Sequence, residues 1–183
     1  MPTSFADVLV AEHSGFKTML SVLEAIARRM SLRAEVPPAM VVDVIDFFGT
    51  FTDRHHAREE RALFPVLARH GVGRDQTVVQ ALLAQHDAGR VYCGKLREDR
   101  LRLQAGDEAA VEDFASHAFA YCELIREHIR IEDDYFYKLA DQLLSEAEHQ
   151  DVISEFSSSR PGAETDRFLR MLNQYPAVVA GWK

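Results

Sequence analysis

Two separate stretches of the sequence place a histidine and a glutamate, four residues apart, within an apolar helical pattern. The first is DRHHAREERALFP at residues 53–65 and the second is EHIRIEDDYFYKL at residues 127–139. Residues four apart lie on the same face of a helix, so each pair points in one direction. The chain must therefore fold so that two polar pairs sit inside apolar helical faces.

His55 lies at the centre of an apolar stripe when the first stretch is drawn as a helix with about 100° per residue. Glu59 falls about 40° away, inside the same stripe. His56 falls at about 100° and Glu60 at about 140°, at the margin of the stripe or outside it. We therefore predict that His55 and Glu59 point into the core and that His56 and Glu60 flank it. Accordingly, His55→Ala is expected to lose metal at one position, and His56→Ala is expected to bind metal almost normally.

The other predicted helices continue this pattern. Glu132 follows His128 inside the apolar stripe of a second helix, and His13 and His86 each lie on the apolar face of a further helix. A single buried histidine is more often a hydrogen-bonded core residue than a ligand. Two buried carboxylates beside four imidazoles are different, because an unpartnered buried carboxylate costs several kcal/mol. This combination predicts a bound cation.

The fold class follows from the spacing of apolar residues, which recur at three and four, while alternating β-branched runs are absent. Four long helices with short loops predict an all-α, up-down-up-down antiparallel four-helix bundle over residues 1–150. Residues 151–183 are predicted to form a tail whose short helix packs on the bundle. The predicted helices run roughly from Ser4 to Met30, Pro38 to Arg69, Asp75 to Gln104, Glu108 to Glu148 and Ala163 to Tyr175, with a turn or linker at 157–162.

Composition excludes several classes of protein. The net charge of −8 argues against nucleic acid or an anionic membrane as the main partner. No stretch approaches the roughly 18 apolar residues of a membrane span, and the first residues lack the pattern of an export signal. Cys93 and Cys122 form no CxxC motif, which makes a zinc-thiolate or redox site unexpected and a cytoplasmic location the default. The oligomeric state stays open.

These elements resemble those of the hemerythrin-like (HHE cation-binding) domain family. The matching segments are EH at 12–13, HHAREERALFP at 55–65, QHDAGR at 85–90 and REHIRIEDDYF at 126–136, in the order of the family. The resemblance implies a four-helix bundle that holds two Fe ions in an oxo- or hydroxo-bridged di-iron centre. Carried over residue by residue, it implies that His13 and His55 bind one iron, that His86 and His128 bind the other, and that Glu59 and Glu132 bridge them.

The ligand types agree with this implication. Imidazole and carboxylate suit iron, and two metals ~3.5–4 Å apart are commonly bridged. The ferritin-like carboxylate proteins use two ExxH motifs instead. Here the order is HxxxE, twice, and the single ExxH at Glu146–His149 is unpaired. Manganese or zinc remains an alternative occupant in a purified sample.

The third helix departs from the family's oxygen carriers, which place a fifth histidine four residues after the first ligand of that helix. Here Arg90 occupies the position, about 40° from His86, and is expected to face inward. An arginine stays protonated and cannot bind iron. It is expected to pair with a carboxylate, such as Glu59 or Glu132, or to place its charge near the bound ligand. One more coordination position then stays open, which favours reactivity over simple carriage, and Arg90→His is expected to slow that reactivity.

Further contacts to the centre are expected from Arg90, Glu60 and Tyr121. Glu60 either contacts a ligand histidine or belongs to a solvated charge cluster. Tyr92, Tyr121 and Tyr135 are alternative candidates for a metal position, as in some relatives, or for core packing.

The function indicated by the resemblance is binding of O2, or of a related small molecule, at the di-iron centre. The alternatives are a di-iron enzyme that acts on hydrogen peroxide or NO, and an iron-handling or storage protein. Whether the centre turns over stays open, and no catalytic residue is assigned. The expected partner is a small diatomic or peroxide ligand.

Overall fold

The structure is a computed structural model that describes residues 4–157 and 163–182. Within these residues the protein is all-α and contains no β-strand. This confirms the prediction that the fold is all-α. The helices are α1 (Phe5–Ser31), α2 (residues 38–69), α3 (Thr77–Gln104), α4 (residues 110–143), α5 (Glu146–Ser157) and α6 (Ala163–Ala180).

Two of the helices contain π-helical turns, in which each N–H bonds to the fifth residue back and the helix widens locally. Such turns are frequent at functional sites. Glu59 and Glu132 each begin one of them. In α2 the segments are Pro38–Phe47, π-helical Phe48–Thr52, Asp53–Arg58, π-helical Glu59–Leu63 and Phe64–Arg69; in α4 they are Ala110–Ile131, π-helical Glu132–Phe136 and Tyr137–Leu143.

The first three helices begin and end within about two residues of their predicted bounds. The fourth prediction is wrong at its end, since α4 stops at Leu143 rather than at Glu148. Leu144 has an extended backbone, with ψ of 136°, and a new helix begins at Glu146. Ser145 and Glu148 cap that helix reciprocally, because the backbone N–H of each donates to the side chain of the other. Of the predicted turn at 157–162, residues 158–162 lie outside the described residues.

The apolar core is divided into two clusters. Cluster I contains Leu20, Val44, Phe48, Leu96 and Phe114, and cluster II contains Leu9, Leu63, Leu82, Phe136 and Ala140, each with further neighbours. α4 packs along both α1 and α3. Along every one of the first four helices, the chain passes from one cluster to the other through a short polar stretch.

The last helix lies against α1 and α2. The ring of Phe168 stacks on Phe47, with centroids 4.5 Å apart, and on Phe51 at 4.6 Å. Arg167 and Tyr175 both contact the Asp43 carboxylate. α6 extends to Ala180, beyond the predicted end at Tyr175. None of the described helices combines the length and apolar composition that crossing a bilayer requires.

Candidate metal centre

Six buried polar side chains meet in the band between cluster I and cluster II. None of them is more than 1% exposed. Each of the first four helices supplies at least one, because each carries its histidine at the point where it passes between the clusters. The six residues are His13 from α1, His55 and Glu59 from α2, His86 from α3, and His128 and Glu132 from α4.

The ligand atoms of these side chains form two overlapping groups. Within each group, the nitrogen and oxygen atoms lie within 4.8 Å of one another. Glu132 belongs to both groups, so its carboxylate can reach two metal positions. The structure therefore brings together the same pairs of histidines that the resemblance implies. The first group is His13, His55 and Glu132, and the second is Glu59, His86, His128 and Glu132; a third group joins His56, outside these six residues, to His86 and His128.

Each of the four histidines is held at Nδ1 by a polar side chain outside the centre. A ring that donates its Nδ1–H outward presents the lone pair of Nε2 inward, which is the form a metal ligand needs. The outer partners thus fix the tautomer and the direction of every ring. The Nδ1 contacts are Asp133 to His13 at 2.7 Å, Glu12 to His55 at 2.8 Å, Glu60 to His86 at 2.8 Å and Gln85 to His128 at 3.1 Å.

Five of the inward atoms have no hydrogen-bond partner within the described residues, and two further ones, the Nε2 atoms of His13 and His55, are paired with one another. The Nε2 atoms of His13 and His55 lie 3.0 Å apart, and Nε2 of His128 lies 3.1 Å from Glu132. Nε2 of His128 and of His86 and both oxygens of Glu132 have no hydrogen-bond partner within the described residues, and the same is true of Oε2 of Glu59. Lone pairs that face one another at these distances repel, and a shared cation removes the repulsion. The donor set fits a metal ion that accepts nitrogen and oxygen ligands.

The two glutamates have opposite tendencies to ionise. Burial and the charge of Glu132 raise the pKa of Glu59 well above its usual value. Burial opposes ionisation of Glu132 as well, but His128 and His13 hold its pKa well below the usual value. Burial also lowers the pKa of His55 to about 4, which keeps this ring neutral. Burial and the proximity of the two carboxylates therefore oppose the ionisation of both at once when no cation lies between them.

Tyr137 lies at the centre, although the sequence analysis did not single it out. Its hydroxyl donates to Oε1 of Glu59 at 2.7 Å and lies 3.4 Å from Nε2 of His55. On a regular helix Tyr137 falls about 180° from His128, on the opposite face. The π-helical turn Glu132–Phe136 brings it round to the centre. Regular periodicity therefore gives no signal for this residue.

The tyrosines named from the sequence lie elsewhere. Tyr135 is 54% exposed, and Tyr92 lies beside the ring of His117. Tyr121 is buried and lines a cavity next to His56.

His56 is buried, contrary to the prediction that it flanks the core. It is only 3% exposed, and its ring stacks on His86 with centroids 4.0 Å apart and planes 9° apart. α2 has neighbours in two directions, so two side chains about 100° apart both point inward. His55 faces Glu12 and His13 of α1, and His56 faces His86 of α3.

Arg90 does not pair with Glu59 or Glu132 as expected. It is 38% exposed, and its guanidinium donates to Glu60 at 2.7 Å, to Asp53 at 2.8 Å and to Asp87 at 2.9 Å. The hydrogen bonds from His86 and Arg90 lower the pKa of Glu60 to about 2. Arg90 thus reaches the centre only indirectly, through the carboxylate that holds the His86 ring.

Comparison with known proteins adds one finding. The family model of the Hemerythrin HHE cation binding domain matches residues 4–140, a span that contains all six inward-facing side chains. No curated protein and no solved structure is significantly similar to the chain.

Proposed function

Because the chain belongs to the hemerythrin HHE cation-binding domain family, we propose that it holds a carboxylate-bridged di-iron centre that binds O2 or a related small molecule. The observation that carries this proposal is the set of buried, inward-facing lone pairs without hydrogen-bond partners. Two overlapping groups of ligand atoms, joined by one carboxylate, favour two metal ions over one.

In this proposal the first four helices form an up-down-up-down antiparallel bundle over residues 1–150, and residues 151–183 form the tail. His13 and His55 hold one iron, His86 and His128 hold the other, and Glu59 and Glu132 bridge them. Iron at these positions supplies reversible electron transfer to a small ligand at an open coordination position. Asp133, Glu12, Glu60 and Gln85 orient the four rings, and Tyr137 orients Glu59.

We place the protein in the cytoplasm and expect neither nucleic acid nor membrane among its partners. The partner proposed for the centre is a diatomic molecule or a peroxide.

A second candidate function is an enzyme that acts on hydrogen peroxide or NO. The observation that favours it is the conformation of Arg90, which occupies the position of the oxygen carriers' fifth histidine and turns toward Asp53, Asp87 and Glu60. α3 therefore supplies only His86 to the ligand groups of the described residues, and this helix does not fill the position that the carriers' fifth histidine takes.

Anaerobic reconstitution with ferrous iron tests both candidates. Metal analysis is expected to approach two irons per chain, and Glu132→Ala is expected to lower that number because this carboxylate belongs to both groups. A plateau at one iron, with the spectra of a mononuclear site, contradicts the di-iron proposal. Exposure of the loaded protein to O2, NO and peroxide then separates the functions: a stable and reversible spectral change indicates binding, whereas consumption of the added molecule indicates an enzyme.

A further inference from the structure

A cavity of about 420 Å³ lies well away from the candidate metal centre. It opens where the end of α1, the start of α2, the end of α3 and the start of α4 meet. Met30 lines it, and at 1.5 Å per residue along α1 this residue is roughly 25 Å from His13. The cavity is therefore separate from the centre and from the small molecule proposed to bind there.

Most of the side chains that line this cavity are apolar. Met30, Val36 and Leu103 pack against cluster I from the cavity and are only partly buried, and Val41 and Val111 also line it. Ligand pockets in proteins commonly have this size and an apolar lining of this kind. An apolar group that displaces water from such a surface gains free energy, so the cavity favours an apolar chain.

Arg33 lines the cavity from a backbone position that favours glycine. It follows the last turn of α1 and has a φ of 54°. The N–H of Arg33 donates to the Met30 carbonyl at 2.8 Å and that of Ala34 to the Arg29 carbonyl at 3.1 Å, which is the Schellman pattern. Glycine is usual at this position, because a side chain is disfavoured at positive φ. The backbone thus does not favour an arginine here, which points to a role of its side chain.

Arg100 supplies a second guanidinium to the cavity from α3. Neither Arg33 nor Arg100 forms an ion pair within the part of the chain that the structure describes, although the chain has a net charge of −8. Arg102, on the same helix, contacts three carboxylates. Glu35 is the only acidic residue that lines the cavity, so its lining has a net positive charge.

We propose that this cavity binds a medium-chain carboxylic acid, with the carboxylate at Arg33 and Arg100 and the apolar chain against Met30, Val41 and Leu103. Guanidinium groups bind carboxylates through two parallel hydrogen bonds, which are stronger than those between neutral groups. A molecule of liquid water occupies about 30 Å³, so the cavity holds roughly 14 heavy atoms, enough for a carboxylic acid of about ten carbons. The proposal does not depend on the metal centre.

Calorimetric titration of the full chain with decanoate, below its critical micelle concentration, tests the proposal. Arg33→Gly removes one guanidinium and gives the Schellman position its preferred residue, so weaker binding is expected from a protein whose Tm is not lowered. Arg100→Gln removes the other guanidinium. Arg74→Gln, in the exposed loop between α2 and α3, is the control for the loss of one positive charge.

Two further comparisons separate the apolar chain from the head group. Val111→Phe reduces the volume of the cavity, and Val91→Phe, at a position on α3 that is 58% exposed, is its control. Decylammonium has the same apolar chain as decanoate and the opposite charge, so it measures how much the two arginines contribute to selectivity.

Arg33→Gly and Arg100→Gln are each expected to weaken decanoate binding by about tenfold, as the loss of a hydrogen bond to a charged group does. Val111→Phe is expected to weaken it as well, whereas Arg74→Gln and Val91→Phe bind decanoate normally and decylammonium binds wild type far more weakly than decanoate. If Val111→Phe does not fold, the two arginine variants decide the outcome.

Unchanged decanoate affinity in Arg33→Gly and Arg100→Gln overturns the proposal, and so does equal affinity of wild type for decylammonium. A wild-type protein that binds no decanoate overturns it too, and sedimentation then shows whether a second copy of the chain covers the cavity instead. Iron uptake is measured separately, so none of these results bears on the proposed metal centre.

Discussion

At the scale of single residues, the side chains around the centre act by holding other side chains. Glu60 lies between the Nδ1 atom of His86 and the guanidinium of Arg90, and accepts hydrogen bonds from both. Outer partners of metal-binding histidines set ring orientation and ligand basicity. The charged chain from Arg90 through Glu60 therefore controls how well His86 can bind a metal.

Glu60→Ala is expected to lower metal affinity by roughly 10- to 100-fold, the usual effect of removing such a partner. Asp87→Ala is the matched control, because Asp87 also contacts Arg90 but touches no ligand histidine. Competition with a chelator of known affinity measures both variants. Equal losses in the two variants would show that the effect comes from Arg90 and not from the contact with His86.

Tyr137→Phe is expected to destabilise the metal-free protein by about 1–3 kcal/mol, since it leaves Oε1 of buried Glu59 without its donor. Tyr135→Phe removes a hydroxyl from a residue that is 54% exposed, and we expect no measurable change in stability. Urea unfolding of both metal-free variants gives the comparison. A Tyr137→Phe protein as stable as wild type would mean that the hydroxyl contributes nothing to holding Glu59.

At the scale of the helix, regular periodicity explains why some site residues were predictable and others were not. His55 and Glu59, like His128 and Glu132, are four apart, and in each pair the histidine precedes the widened turn that the glutamate begins, so the regular wheel places both correctly in the core. Tyr137 follows such a turn, and the wheel places it on the wrong face. A π-helical turn has no simple sequence signature, so the position of Tyr137 at the centre could not be predicted.

Two other errors have different physical causes. His56 was placed outside the core because a single apolar stripe describes a helix with one neighbour, whereas α2 is buried on two sides. The end of α4 could have been predicted, because Ser145 and Glu148 have the spacing of a capping box that begins a new helix. The leucines at 139, 143 and 144 extend the apolar pattern up to this signal and concealed the break.

Glu148→Gln is expected to lower the Tm of the metal-free protein near neutral pH and to have no effect at about pH 2. Hydrogen bonds from Ser145 and His70 lower the pKa of Glu148 to about 2, against an ordinary value of 4.5. A lowered pKa stabilises the fold above the ordinary value, and this contribution is lost as pH falls from 4.5 toward 2. The glutamine preserves the capping geometry, so the variant isolates the charge.

Thermal unfolding across this pH range measures the difference between wild type and Glu148→Gln. Asp151→Asn, which also removes a carboxylate from α5, is the control for the loss of one negative charge from this helix. A difference between wild type and Glu148→Gln that stays constant down to pH 2 would contradict the assigned ionisation.

At the scale of the whole molecule, the polar centre divides the core without interrupting any helix that carries it. Cluster I and cluster II each contain residues from all of the first four helices, so each can hold these helices together without the centre. Helices whose apolar residues recur at every third and fourth position have few ways to bury two apolar bands. The all-α fold and the meeting of the six polar side chains could therefore be predicted from the sequence. The cavity behind His56 depends on the relative rotation of α2, α3 and α4, which periodicity does not determine.

Removal of the metal is therefore expected to lower the Tm and leave the helix content nearly unchanged. The two apolar clusters persist without metal, whereas the facing carboxylates and imidazoles lose the cation that relieves their repulsion. A ligand present at 100 times its Kd stabilises the folded state by about 2.7 kcal/mol, so the loaded protein should melt at a clearly higher temperature. Far-UV circular dichroism and thermal melts, with chelator and after reloading, measure both effects.

Glu132→Ala, which removes the carboxylate shared by both groups, should lose most of the increase in Tm on reloading. Collapse of the helical signal on chelation would show that the clusters cannot hold the bundle alone, and an unchanged Tm would show that protons satisfy the centre as well as a metal does.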